Sequence, residues 1–199
     1  KIKGSNFFGF HFAKELVKKY PGIKPGIINL SYASSVIGCW IKYSTNHKYY
    51  QLNQTFTSLS NKKQGIFFDE HQNIIKKAFK QLEFSIQRKI DVVLWHQGES
   101  DNIFHNNSTF FRDSLYQVVN QYKSIEKSIH SYFIAGTVLP YTLKGTYKNF
   151  VNPILMDLNQ YSNCGCVDFS KLSSLHDIYQ NNDYIHFSTQ SQRTMGKLY

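Results

Sequence analysis

This 199-residue sequence predicts one α/β domain built on a parallel sheet, and three observations carry that expectation. Val92-Val93-Leu94-Trp95 is a short apolar run that ends abruptly in His96, Gln97, Gly98, Glu99, Ser100 and Asp101, the pattern of a core strand running into a cluster of polar groups. Short apolar runs alternate with longer segments of helical periodicity, as strands and crossover helices do in a parallel sheet covered on both faces. Neither an internal repeat nor a linker divides the chain, and its length suits one sizeable domain better than two.

The elements follow in order. Residues 11–20 place Phe12, Ala13, Leu16 and Val17 on one helical face with Lys14, Lys18 and Lys19 opposite, and Pro21-Gly22 stops that helix. Ile27-Ile28-Asn29-Leu30 reads as a short strand with a polar exit through Ser31, Tyr32, Ala33, Ser34 and Ser35. About thirty polar, irregular residues follow Trp40. The next helix spans about 71–89, with Ile74, Ile75, Ala78, Phe79, Leu82 and Ile86 as its inner stripe. After the Val92–Trp95 strand comes a helix over 108–126 carrying Phe111, Leu115, Val118, Val119 and Tyr122 inward, with Ser108 as its N-cap. A strand over 132–139 closes at Pro140, a helix near 149–160 follows, and Cys166-Val167-Asp168-Phe169 reads as the last strand.

Composition narrows the functional classes. The 41% hydrophobic and 16% aromatic content suits a packed core. No apolar run approaches the roughly 18–20 residues needed to cross a bilayer. A formal charge of +10 raises nucleic acid as a partner, but the lysines are dispersed and no nucleic-acid motif is present, so that partner is not expected. Cys164-Gly165-Cys166 lacks the two-residue spacer of a zinc or redox pair, Cys39 stands apart, and the histidines show no ligand spacing; no metal site is expected.

Two blocks carry the chemistry. The first is Trp95 to Asp101 at the mouth of its strand, where ligands of open α/β sheets bind. The second is Asp183-Tyr184-Ile185-His186-Phe187-Ser188, followed by Gln192-Arg193 and Met195-Gly196. An Asp three residues before a His can fix the imidazole tautomer and leave the far ring nitrogen as a base. The amide of Gln97 can donate hydrogen bonds, and Gly98 allows close backbone approach. Together these blocks resemble the SGNH esterase superfamily, in particular its sialate O-acetylesterase-like and acetylxylan-esterase-like carbohydrate esterases, and the match runs in order from Phe12-Ala13 to Gly196.

The resemblance implies a three-layer, flavodoxin-like SGNH fold and an activity that removes acetyl groups from sugars through a Ser-His-Asp triad, with no metal or organic cofactor. It implies His186 as the base, Asp183 as the group that orients it, and Gln97 as an oxyanion donor. Gly98 and Glu99 are expected to contact or position substrate. The Ser31–Trp40 segment aligns with a Gly-Gly-Thr-x-Ile-x-x-Trp block through Ile37 and Trp40, with Ala33 and Ser34 in place of the two glycines; the backbone N–H there is the second oxyanion donor. Trp40 is open to two readings, a sugar-stacking platform or a core residue. His96, alone among the other histidines at a strand mouth, is expected behind the reacting groups. The resemblance points towards an extracellular or secretory compartment.

One family element is missing. A Gly-Gln-Ser-Asn-type motif at the end of a first strand carries the nucleophile in these enzymes, and nothing here has that motif after an apolar strand. Ser5 in Gly4-Ser5-Asn6 follows only Lys1-Ile2-Lys3, too short and charged for a buried strand. The expectation is therefore a single SGNH domain over 1–199, incomplete at its N-terminus, with a gap beside Val92–Trp95 that another segment of the polypeptide or another chain fills. A catalytically inactive descendant that binds glycans or protein is the alternative. Glycosidase chemistry through Glu99 and Asp101 is a third reading, distinguished by release of reducing sugar.

Overall fold

A computed structural model describes residues 8–82, 89–104, 107–125, 128–140, 149–174, 177 and 183–199. Three parallel strands form its sheet in the order β1 (Val92–Trp95), β2 (Tyr132–Gly136) and β3 (Cys164–Val167). Register pairs Trp95 with Ala135 and Ala135 with Cys166. Since side chains alternate along strands, Val93, Trp95, Phe133, Ala135, Cys164 and Cys166 share one face, and Gly136 and Val167 belong to the other.

The first face carries the larger core. Helix α5 (Ser108–Lys123) lays Phe111, Leu115, Val118, Val119 and Tyr122 into it, all the residues expected on that stripe. Its N-cap is Asn107 rather than Ser108: the Asn107 side-chain oxygen accepts the N–H groups of Thr109 and Phe110 at 2.9 and 3.0 Å. Helix α3 (Ile66–Gln81) adds Phe67, Phe68, Ile75 and Phe79. It starts five residues before the expected 71, because Gly65, at φ 71°, turns the chain closely past Lys42 and lets Phe67 and Phe68 enter the core. Ile74 stays 37% exposed, off the stripe predicted for it, and Ile86 lies outside the described residues.

A helix also occupies the stretch read as irregular. Helix α2 (Tyr50–Leu59) turns Asn53, Phe56 and Thr57 inward. Two of those three are polar, so the face lacks an apolar stripe. Asn53 earns its burial through hydrogen bonds from Nδ2 to the Gly38 and Ile41 carbonyls and to Gln64.

The expected strand at 27–30 is not one. Ile27 and Ile28 are 46% and 39% exposed in an extended segment with no ladder, and without a partner strand its backbone groups turn to solvent. β1 therefore forms a sheet edge with no strand along its outer side among the described residues. The strand predicted over 132–139 stops at Gly136, and the last strand begins two residues earlier than expected, at Cys164. The helix near 149–160 divides into α6 (Val151–Met156) and a 3-10 turn, Asp157–Gln160.

The second face holds a smaller core of Leu139, Phe169, Phe187 and Met195, against which Phe8, Val167, Leu172 and Tyr199 pack. Two terminal helices cover it: α1 (Phe8–Lys19) and α7 (Thr189–Leu198). Val17, predicted on the inner face of α1, is 41% exposed because the helix buries Gly9 and Ala13 instead. Close approach of the two helices rests on Gly196, where a Cβ would come within 2.4 Å of His11 Cβ and 2.5 Å of the Phe8 carbonyl oxygen. Among the described residues, no helix is long and apolar enough to cross a membrane.

Backbone atoms at Gly196 have little room to retreat. Gly196→Ala is expected to destabilise the chain by about 1–3 kcal/mol through overpacking, read as a lower urea midpoint with unchanged slope. An unchanged midpoint would show that α1 and α7 can separate at no cost.

Candidate functional site

The polar block after β1 leaves the sheet at its C-terminal end. Gly98, at φ 143°, makes the turn into the short helix α4 (Glu99–Ile103), a conformation that side chains rarely adopt. The space a Cβ would take there belongs to Val151 Cγ1, 2.4 Å away, so this glycine lets α6 approach the backbone; substrate approach is not needed to explain it.

Asp101 and Gln97 form the buried centre of the block. Asp101 has no solvent exposure, and its two carboxylate oxygens accept the Ile37 backbone N–H at 3.1 and 3.0 Å. The Gln97 amide donates to Asp101 Oδ2 and to the Ser35 carbonyl at 2.8 Å. Both of its amide hydrogens have acceptors, so in this arrangement Gln97 holds the 31–40 segment against the strand mouth. That leaves Ala33 and Ser34, both exposed, in the turn just before the anchored Ser35. Ser34 has φ 55°, the left-handed region in which glycine is comfortable and serine is strained by about 1–2 kcal/mol. Trp40, 5% exposed, packs among Tyr32, Phe67, His71 and Trp95. It is a core residue and is not available for stacking sugars.

His186 and Asp183 lie together on the loop before α7. His186 Nδ1 is 3.0 and 2.9 Å from the two carboxylate oxygens of Asp183, whose Oδ1 also accepts the backbone N–H groups of Ile185 and His186. An ionised carboxylate only accepts, so Nδ1 carries the proton and Nε2 is left with a lone pair. Burial pushes the Asp183 carboxyl up, but the N–H of His186 and its imidazole outweigh that and hold it below the ordinary value. The loop is anchored from behind, where Phe187 bridges to Ser174 and Ser188 donates its N–H to the Ser173 carbonyl. Ser188 then caps α7 by accepting from Ser191.

An aromatic wall joins the two blocks. The His96 ring contacts Phe187 at 5.3 Å, Phe8 at 6.0 Å and Phe169 at 6.5 Å between centroids. Its Nε2 lies 3.2 Å from Glu99 Oε1. Burial raises the Glu99 carboxyl, yet His96, its own backbone N–H and the charge of His186 together leave it below the ordinary value. Asp101, considered beside Glu99 as a glycosidase partner, is consumed by Ile37 and Gln97. Ser5 lies outside the described residues, and among those described no three His, Cys, Asp or Glu side chains gather as a metal site. Sequence reasoning had not assigned Ser35, whose carbonyl anchors Gln97; a main-chain acceptor leaves no mark in residue type.

Comparison with known proteins adds a family. The model of the family described as carbohydrate esterase, sialic acid-specific acetylesterase (SASA) matches residues 6–199. No curated protein matches the chain. A solved structure of a protein from Arabidopsis thaliana is 21% identical, with a TM-score of 0.49; the match covers 64% of this chain and 48% of that one, so the chain spans about half the length of this neighbour.

Asp101→Ala would strand the buried Ile37 N–H, and stability should fall by about 3 kcal/mol, measured by urea unfolding. A loss under about 1 kcal/mol would mean that water or another group replaces the carboxylate. The lowered Asp183 carboxyl contributes stability that is present above the ordinary Asp value of about 3.9 and fades as pH drops through the folded-state value. Asp183→Asn should therefore narrow the difference in urea midpoint between pH 6 and pH 2.5. An equally wide difference in the variant would assign the acid sensitivity to other carboxylates.

Proposed function

The chain belongs to the sialic acid-specific acetylesterase family of carbohydrate esterases, and we propose that it forms the base-bearing part of an O-acetylesterase acting on acetylated sugars, sialic acid or xylan-type glycans. The observation that carries this reading is the His186–Asp183 pair, held at 2.9 Å with the imidazole side chain 71% exposed. An orienting carboxylate on one ring nitrogen and solvent on the other side are what a general base needs before substrate arrives.

In the proposed reaction a serine hydroxyl attacks the acetyl carbonyl while His186 Nε2 takes its proton and Asp183 stabilises the resulting imidazolium. His186 gives the proton to the departing sugar oxygen as its bond to the acetyl carbon breaks, leaving an acetyl-serine and a free sugar hydroxyl. Water, deprotonated by the same nitrogen, then attacks the acetyl carbon; the serine oxygen leaves, takes that proton back from His186, and acetate is released. Backbone N–H groups of the Ala33-Ser34 turn are the proposed oxyanion donors, in a position set by the Gln97 bond to Ser35; Gly98 supports the same wall by admitting Val151. Glu99 is a positioning residue, adding negative potential near the imidazolium. The serine is proposed to lie outside these 199 residues, on a strand along the outer edge of β1. Support for that location comes from the outer edge of β1, along which no strand lies among the described residues, and from the lack of a serine motif after any apolar strand.

Two observations favour a second reading, a glycan- or protein-binding domain without catalysis. The left-handed Ser34 replaces a glycine of the resembling enzymes, and the Gln97 amide is already spent.

In the full-length protein, His186→Ala should lower turnover of an acetyl ester by about a thousandfold or more, with acetate release as the measurement. A fluorophosphonate should label one serine outside these 199 residues by peptide mapping. Turnover close to wild type, or a label on Ser5, would overturn the assignment; no turnover in the wild type would favour the binding reading.

A further inference from the structure

The last turn of α5 meets the chain where it enters β3. Lys123 Nζ donates to the Ser162 carbonyl at 3.1 Å and to Cys164 Sγ at 3.3 Å. Further contacts hold this junction. Tyr116, seven residues before Lys123 on the same side of α5, packs against Tyr161 with ring centroids 5.0 Å apart. The Cys164 N–H closes a turn on the Tyr161 carbonyl at 3.1 Å, and the Asn163 carbonyl accepts the Phe133 N–H at 2.9 Å. A long, flexible lysine is thereby set beside one thiol in advance, which lowers the entropy cost of bringing an amine to sulfur.

The other cysteines are placed differently. Cys39 is buried, and burial pushes its thiol up; at Cys166 burial pushes the thiol up to about 12. The thiolate is the reacting form of cysteine, so both are poor nucleophiles. Cys164 and Lys123 are each half-buried, open enough for a small oxidant. Residues two apart in a strand stand about 6.6 Å from each other, at the far end of the span a disulfide bridges, about 6.8 Å. Lys123, and not Cys166, is the group placed to meet an oxidised Cys164.

We infer that Cys164 and Lys123 are a modification site at which hydrogen peroxide joins Sγ to Nζ and staples the end of α5 to the start of β3. The Cys164 thiolate attacks one oxygen of peroxide; the O–O bond breaks, hydroxide leaves, and the sulfur, oxidised by two electrons, becomes a sulfenic acid. That hydroxide takes a proton from the Lys123 ammonium and becomes water. The freed amine attacks the sulfenic sulfur, the S–O bond breaks, and the leaving oxygen takes one nitrogen proton to depart as a second water. An S–N bond remains, and both peroxide oxygens end as water.

Peptide mapping of the full-length protein before and after hydrogen peroxide tests it, with a protease that does not cut at lysine. A cross-linked peptide pair carrying Lys123 and Cys164 is expected, lighter by two hydrogen atoms than its parts and released by dithiothreitol. Joining these residues restricts the unfolded chain, so the urea midpoint should rise on oxidation and return on reduction. Lys123→Arg keeps a cation at the sulfur; it should abolish the cross-link and the rise, while dimedone, which captures sulfenic acids, labels Cys164. Cys166→Ser should cross-link as the parent does. No cross-linked peptide, a disulfide between Cys164 and Cys166 in its place, or an unchanged rise in Lys123→Arg would overturn the staple. Dimedone labelling of Cys39 or Cys166 ahead of Cys164 would overturn the choice of thiol. A circular dichroism melt of each variant verifies that it is folded.

Discussion

A carboxylate without solvent exposure, Asp101, determines where the parts of the candidate site sit. It accepts the Ile37 N–H from a segment more than sixty residues upstream and the Gln97 amide from the turn after β1. A buried charge is tolerable only when its lone pairs are used, and satisfying them draws the 31–40 segment over the end of the sheet. From that contact follow the Gln97 bond to Ser35, the position of the Ala33-Ser34 turn and the burial of Trp40 against Trp95. Charge-assisted hydrogen bonds of this kind contribute about 1.5–3 kcal/mol each, enough to choose one conformation of a loop that has no strand ladder of its own.

The site divides its carboxylates by environment. Asp101 is enclosed and structural, whereas Asp183 sits under a loop whose histidine remains largely exposed. Glu99 lies between these extremes, its carboxylate beside the His96 ring. Aromatic rings of Phe8, Phe169 and Phe187 enclose His96 and connect it to the second core, so α1 and α7 are coupled to the site by packing as well as by sequence.

Much of the sheet was legible because apolar runs and helical stripes report burial directly. Val92–Trp95 coincides with expectation, and the inner face of α5 holds every residue expected there together with Phe110 and Ser114. Residues 27–30 show the limit of that signal. Ile, Ile and Leu specify a tendency to bury, but a strand also needs a partner for its backbone, and none lies alongside among the described residues. Helix α2 fails in the opposite sense: its inward face is polar and satisfied by Gln64 and main-chain carbonyls, so no hydrophobic period announces it.

The sequence by itself determined the α/β class, the family and the local Asp183–His186 pair, because each depends on residue types at short, fixed spacing. Three residues apart on one loop, a carboxylate and an imidazole meet with little help from the rest of the chain. Tertiary structure alone decided that Gln97 is an anchor, that Gly98 makes room for Val151, that Ser34 occupies the left-handed region and that Trp40 is core. Those outcomes depend on which distant backbone group arrives opposite each side chain. Residue type records what a group can bond to, and only the packed chain settles what it meets.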